Sequence, residues 1–319
     1  MTRRWICGLA AGLSLTAAAV ADNFPESEGN DSKAAADIVA GMSAGDTITG
    51  NSTSSSGAGL DYFLVSVDPL APGIYRHRLV ITTTGTAGHT GTIRGLTQTG
   101  GVPNAGTDAT AQTSSSTTSP PRFVQWYGFG KMESFYYRVT GTSSTTADYV
   151  ATMETVPVTP VDLGSYAPGT ITISTIGRTS VDTDLWVYDS ALQAIPGYGN
   201  DDEGPGGTTL QSRLIRTYAP GVYYLALTNF NFANEQGSPP DDDFRSGTVT
   251  DFADLAVNSS TSAGLDLDFG ITDAIGTVEH TATKPGAFDI FWGRFTVVPE
   301  PASLALLALG GLALLRRRG

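Results

Sequence analysis

Ala219-Pro220-Gly221-Val222-Tyr223-Tyr224-Leu225-Ala226-Leu227-Thr228 decides the fold class. Proline at the second position of a turn and glycine at the third is type II chemistry, because proline fixes φ and glycine accepts the positive φ that follows. The run Val222 to Thr228 then alternates and is rich in aromatic and aliphatic residues, which suits a pleated, half-buried strand. Ala71-Pro72-Gly73-Ile74-Tyr75 repeats this turn-into-strand unit, and Tyr166-Ala167-Pro168-Gly169-Thr170 is a third version.

Working outward, short runs of the same kind recur between turns: Asp46 to Thr49, Asp61 to Val67, Ile74 to Ile81, Ser134 to Val139, Thr170 to Ser174, Asp184 to Tyr188 and Phe288 to Val298. With 38 glycines and only 15% charged residues, and helical periodicity confined to the two ends, the pattern predicts an all-β chain. Lys33 to Ala40 is the one inner stretch suited to a helical turn or two. Val156 to Val161, with two prolines, serves as the linker. The expectation is two tandem, jelly-roll-like β-sandwich domains, 22–156 and 157–298, between an N-terminal signal peptide (1–21) and a C-terminal transmembrane sorting helix (299–319).

The ends set the destination. Arg3 and Arg4 precede an apolar segment, Trp5 to Val20, and Ala19 and Ala21 supply the small residues that signal peptidase requires, so cleavage falls before Asp22. Thr2 to Ile6 faintly resembles a twin-arginine leader; general secretion is the default. Cys7 lies inside this leader, so the mature chain has no thiol. At the other end, Pro299-Glu300-Pro301 is followed by Leu304 to Leu315, built of Leu, Ala and Gly, and then Arg316, Arg317 and Arg318. An apolar helix enters the bilayer while the arginines stay on the cytoplasmic side.

This tail resembles the PEP-CTERM signal of Gram-negative bacteria. The resemblance implies that an exosortase cuts near Pro299 to Pro301 after the tail has held the chain in the inner membrane. The apolar run has twelve residues where a stable span takes about 20, so the anchor reads as transient. Five of the 18 basic residues and one of the 31 acidic ones lie in these end segments. The exported part thus carries 13 basic and 30 acidic residues, −17 in all. Such a surface excludes nucleic acid as a partner and attracts cations.

Both halves also resemble bacterial pre-peptidase C-terminal (PPC-like) sandwich domains. The first does so through Gly29-Asn30-Asp31-Ser32, Gly45 to Gly50 and Asp61-Tyr62-Phe63. The second does so through Asp182 to Asp189, Asn200 to Glu203, Ser212-Arg213-Leu214 and Ala219 to Leu225. Membership implies a secreted, usually non-catalytic accessory module.

Motifs for catalysis are weak. Gly41-Met42-Ser43-Ala44-Gly45 has the spacing of a nucleophile elbow, but a strand follows it where that motif needs a helix. His77, His89 and His280 share no metal spacing and read as isolated surface or strand histidines. Trp126, Tyr127, Phe129, Tyr136, Trp186, Tyr223 and Trp292 offer either a sugar-stacking platform or core residues, and alternation favours core. Asp241 to Asp243 read as an exposed loop, and Asp266 and Asp268 as the polar face of a strand.

One acidic cluster offers chemistry. Asp182 and Asp184 share a face at a strand entrance, and Asn200-Asp201-Asp202-Glu203 follows in a glycine-bounded loop. Together they present the oxygen ligands that calcium prefers; a solvated acidic loop is the competing reading. The expected function is a non-catalytic cell-surface or exopolysaccharide-matrix protein, with exopolysaccharide as a partner. The alternative is a calcium-dependent carbohydrate-binding or adhesion module, and a secreted hydrolase comes third.

Overall fold

The computed structural model describes residues 21–51, 59–83, 88–103, 110–114, 122–141, 148–203, 209–241 and 249–299. Most of the leader and the sorting helix therefore lie outside the described residues. Among those described, no helix is long and apolar enough to cross a membrane.

The described strands form four main sheets. Sheet I orders Asp37–Met42, Leu60–Val67, Ser134–Thr140, Thr90–Arg94 and Thr110–Thr113. Sheet II orders Asn23–Pro25, Thr47–Gly50, Tyr149–Val158, Ile74–Thr83, Arg122–Gly128, Leu255–Asn258 and Phe232–Ala233. Sheet III orders Val161–Tyr166, Phe291–Val297, Gly221–Asn229, Thr183–Tyr188 and Ala194–Asn200, and sheet IV orders Arg213–Tyr218, Gly169–Ser174, Phe269–Thr272 and Thr277–His280. Each run read from alternation became a strand, within a residue or three at its ends. Lys33 to Ala40 is helical only in its first turn. It makes one 3₁₀ turn, Lys33–Ala35, and enters a strand at Asp37, because Val39 and Met42 are needed in the core and Lys33 is buried with its ammonium on the carbonyls of Gly95 and Thr97.

Alternation places three apolar layers between the four sheets. Phe63, Val65, Phe135 and Tyr137 of sheet I meet Leu79, Val124, Trp126 and Met153 of sheet II. Leu185, Val187, Leu225 and Phe295 of sheet III meet Ile171, Ile173, Leu214 and Phe269 of sheet IV. The opposite faces of sheets II and III bury a third layer, in which Ile74, Tyr127, Phe129, Phe232 and Ala256 pack on Trp186, Tyr188, Ala226 and Trp292. Phe129, Tyr188 and Trp292 are mutually in aromatic contact, with centroids 5.3 to 5.7 Å apart. Aromatic burial of this size dominates an interface.

The middle layer explains two departures from the sequence reading. Thr183–Tyr188 is buried at every position, since a strand covered on both faces loses its polar alternation. Chain order is also broken: Leu255–Asn258 pairs with Arg122–Gly128 and Phe232–Ala233 pairs with Leu255–Asn258, so part of the second half completes a sheet of the first. The Val156 to Val161 linker shrinks to Thr159-Pro160, because one strand runs to Val158 and the next starts at Val161. A polar seam fixes the joint: Gln125 donates to Asp289 at 3.0 Å, the amide of Ile290 donates to the Tyr127 hydroxyl at 3.1 Å, and Thr228 donates to the Asp289 carbonyl at 3.0 Å. Gly199 lets an edge strand cross the Trp186 indole, for a Cβ there would stand 1.9 Å from the ring.

At the far edge of sheet II, Tyr149 places its hydroxyl 2.8 Å from Asp61 Oδ2 and 3.1 Å from Glu26 Oε2. Burial first, then the Glu26 charge, pushes the Asp61 carboxyl up to about 7. A pocket of about 390 Å³ opens beside them, lined by Glu26, Gly50, Asn51, Asp148 and Tyr149.

Two predictions follow from this architecture. Truncating Trp292 to alanine removes the centre of the middle layer and lowers unfolding free energy by about 3–5 kcal/mol, whereas Ile275→Ala, on a residue 87% exposed, changes it by less than about 0.5 kcal/mol; similar small effects at both sites in denaturant titrations would contradict the layer's role. Because the folded state raises the Asp61 value, its proton-linked stability is present in acid and lost as pH rises through about 7. Asp61→Asn, which keeps the acceptor and drops the charge, should therefore melt above the parent chain at about pH 8 and lose that advantage towards about pH 4. Parallel melting curves across that range would refute it.

Candidate functional site

The sheet III register assembles the acidic cluster. Leu185 pairs with Asn200 and Trp186 with Gly199, so the entrance of one strand lies beside the exit of its neighbour. Asp182 thereby comes next to Asp201 and Asp202, and one carboxylate oxygen from each falls within 4.8 Å of the others. Asp201 is fully buried and Asp202 nearly so. The Oδ1 atom of Asp182 is buried and has no hydrogen-bond partner among the described residues. Burial, and then the Asp202 charge, raises the Asp182 carboxyl to about 6. Three carboxylates this close repel one another, and the cluster is relieved by a proton or by a hard cation that takes oxygen ligands.

The other three expected ligands do different work. Asp184 is fully buried and accepts the Phe232 amide at 2.8 Å, so it fastens the segment that crosses into sheet II. Asn200 accepts the Arg213 amide at 2.5 Å and donates to the Asp202 carbonyl at 2.9 Å, which shapes the loop. Glu203 pairs with the Arg213 guanidinium. Spacing puts Asp182 and Asp184 on one face, yet the backbone of Phe232 claims Asp184, a contact that spacing does not reveal.

Elsewhere the structure sorts the remaining motifs. Ser43 sits in a turn between strands, with its hydroxyl on Asp68 at 3.0 Å and its amide on Asp46 at 2.7 Å. His77 and His89 are fully buried, not at the surface; His77 stacks on Trp126 and His89 packs on Tyr149. Desolvation holds both imidazoles down at about 4, hence neutral. His280 meets the Tyr166 hydroxyl at 2.7 Å. Trp126, Trp186 and Trp292 are all buried, so they form no sugar-stacking face. Asp241 is clamped by Arg216 through two 2.7 Å bonds, while Asp242 and Asp243 lie outside the described residues. The carboxyl–phenol group at Glu26, Asp61 and Tyr149 escaped the sequence reading; an acid opening the apolar run Asp61 to Val67 is its only trace.

The processing residues flank the folded body. Ala21 is exposed, one residue before Asp22, and Pro299 is exposed two residues after the last strand of sheet III. Ala19, Glu300, Pro301, Arg316, Arg317 and Arg318 lie outside the described residues. Comparison with known proteins bears on this end: residues 297–318 match the PEP-CTERM protein-sorting motif. No curated protein is significantly similar to the chain. The motif indicates an exported protein with a transiently membrane-anchored tail that an exosortase processes.

Proposed function

We propose that this chain is a non-catalytic component of the cell surface or exopolysaccharide matrix. A secretory leader exports it, the tail holds it in the inner membrane, and exosortase cleavage releases the body. The observation that carries this reading is the sorting motif beginning at Val297, the last residue of a strand held between two others. The body's −17 charge supports export away from anionic lipid. The two sheet pairs are taken as two sandwich domains of PPC-like type, a reading supported by the all-β architecture and by the Asp182 to Leu225 stretch. Whole-cell protease shaving tests the destination: the processed body should be digested from outside, and a chain truncated after Val298 should be found free in the periplasm or medium. Protection of the processed body until the cells are lysed would contradict it.

A second reading, a calcium-dependent carbohydrate-binding or adhesion module, is favoured by one observation: the convergence of Asp182, Asp201 and Asp202 around a buried Asp182 oxygen that has no partner among the described residues. Calcium would be held by these three carboxylates. Adding calcium should then raise the melting temperature, a chelator should reverse the rise, and Asp182→Asn should abolish it. The stabilisation should fade as pH falls through about 6, where Asp182 takes up its proton. A melting temperature indifferent to calcium at neutral pH would exclude this reading.

A further inference from the structure

Asp46 is a buried carboxylate without a cation. It is 5% exposed. Its Oδ2 accepts the amide of Ser43 at 2.7 Å, its Oδ1 accepts the backbone N–H of Asp22 at 2.8 Å, and among the described residues no Lys, Arg or His is ion-paired with it. A buried carboxylate held only by neutral donors carries a desolvation cost that an adjacent positive charge offsets. The nitrogen facing it belongs to the residue that follows the leader.

We propose that leader removal supplies that charge, so that Asp46 is the built-in counter-ion for the mature N-terminus. The inference rests on the reading of cleavage before Asp22. Hydrolysis of the Ala21–Asp22 peptide bond by signal peptidase adds water: the Ala21 carbonyl leaves as a carboxylate, and the Asp22 nitrogen becomes an α-amine that is protonated at neutral pH. The 2.8 Å hydrogen bond then becomes an ammonium–carboxylate pair. The surrounding backbone is arranged to hold it. Thr47 donates to the Asp22 carbonyl at 2.9 Å, Met153 donates to the Asp46 carbonyl at 2.9 Å, and Gly45 donates to the Met153 carbonyl at 2.8 Å. Asn23–Pro25 continues as a parallel strand against Thr47–Thr49, so the new terminus is fixed in register with its acceptor. The precursor, whose nitrogen at this position is an uncharged amide, lacks the pair; the stabilisation belongs to the processed chain alone.

The test compares chains that begin at Asp22 with chains that retain Val20-Ala21, each with and without Asp46→Asn, by thermal melting across pH. The chain beginning at Asp22 should melt higher at neutral pH. A pair raises the amine's value above its usual range of about 7.7–8.0, so the advantage should be full below that range and disappear as pH rises through the folded value. It should also vanish in Asp46→Asn, which removes the negative charge; the amide keeps one acceptor oxygen of the two, and the contact it gives up is lost from both chains alike. Equal melting of the two chains at every pH would overturn the proposal. N-terminal mass analysis of the exported protein is the separate arm: a terminus other than Asp22 would overturn the processing reading and remove this pair from the native protein, whatever the melting curves of the defined chains.

Discussion

The burial of aromatic rings between sheets II and III is the constraint on which the architecture depends. Either sheet pair alone would expose Tyr127 and Phe129 on one side or Trp186, Tyr188 and Trp292 on the other, a contiguous apolar face. Stacking the faces removes that surface and makes one body of four layers. The crossing of Phe232–Ala233 and Leu255–Asn258 into sheet II follows from the same requirement: Phe232 and Ala256 fill the layer from above, while Leu255 and Val257, alternate residues of the same strand, reach the core beneath. Asp184 and Asn258 tie the crossing down through backbone groups on either side of it.

The strands were legible in the sequence; the stacking of the two middle sheets on each other was not. Asp61 to Val67 and Thr170 to Ser174 alternate because one face of each strand meets water or a polar rim, and period two is visible in such runs. Thr183–Tyr188 of sheet III is buried at every position, so its sequence gives length without direction. The Trp126-Tyr127 pair shows this well: one ring enters the first core and the next enters the middle layer. The pairing of Tyr127 with Ala256 spans more than a hundred residues, a contact no local pattern encodes. For the acidic cluster, a loop rich in Asp was visible, yet which carboxylates converge depends on the register of Leu185 against Asn200. Three of six expected ligands meet; backbone amides and one arginine claim the others.

Acids elsewhere show how a body of −17 accommodates its carboxylates. Some are clamped by arginine, as Asp241 is by Arg216, and others cap backbone turns, as Asp273 does for the amides of Ala167, Ile275 and Gly276. Those caps hold the Asp273 carboxyl below its ordinary range despite partial burial. Where no such partner exists, as at Asp61 and Asp182, the proton is held more tightly instead. The chain thus separates acids that stabilise its turns from the few able to bind a cation or a proton.

The body meets its export signal at the strand Phe291–Val297, held between Val161–Tyr166 and Gly221–Asn229, whose last residue begins the sorting motif. Intact-mass measurement of the protein from the surface or medium fraction of its native host, beside an exosortase-deficient strain, tests that junction most directly. The account predicts a C-terminus near Pro299 to Pro301 that is lost in the deficient strain. A full-length C-terminus retained in the membranes of both strains would contradict it and leave the tail a plain anchor.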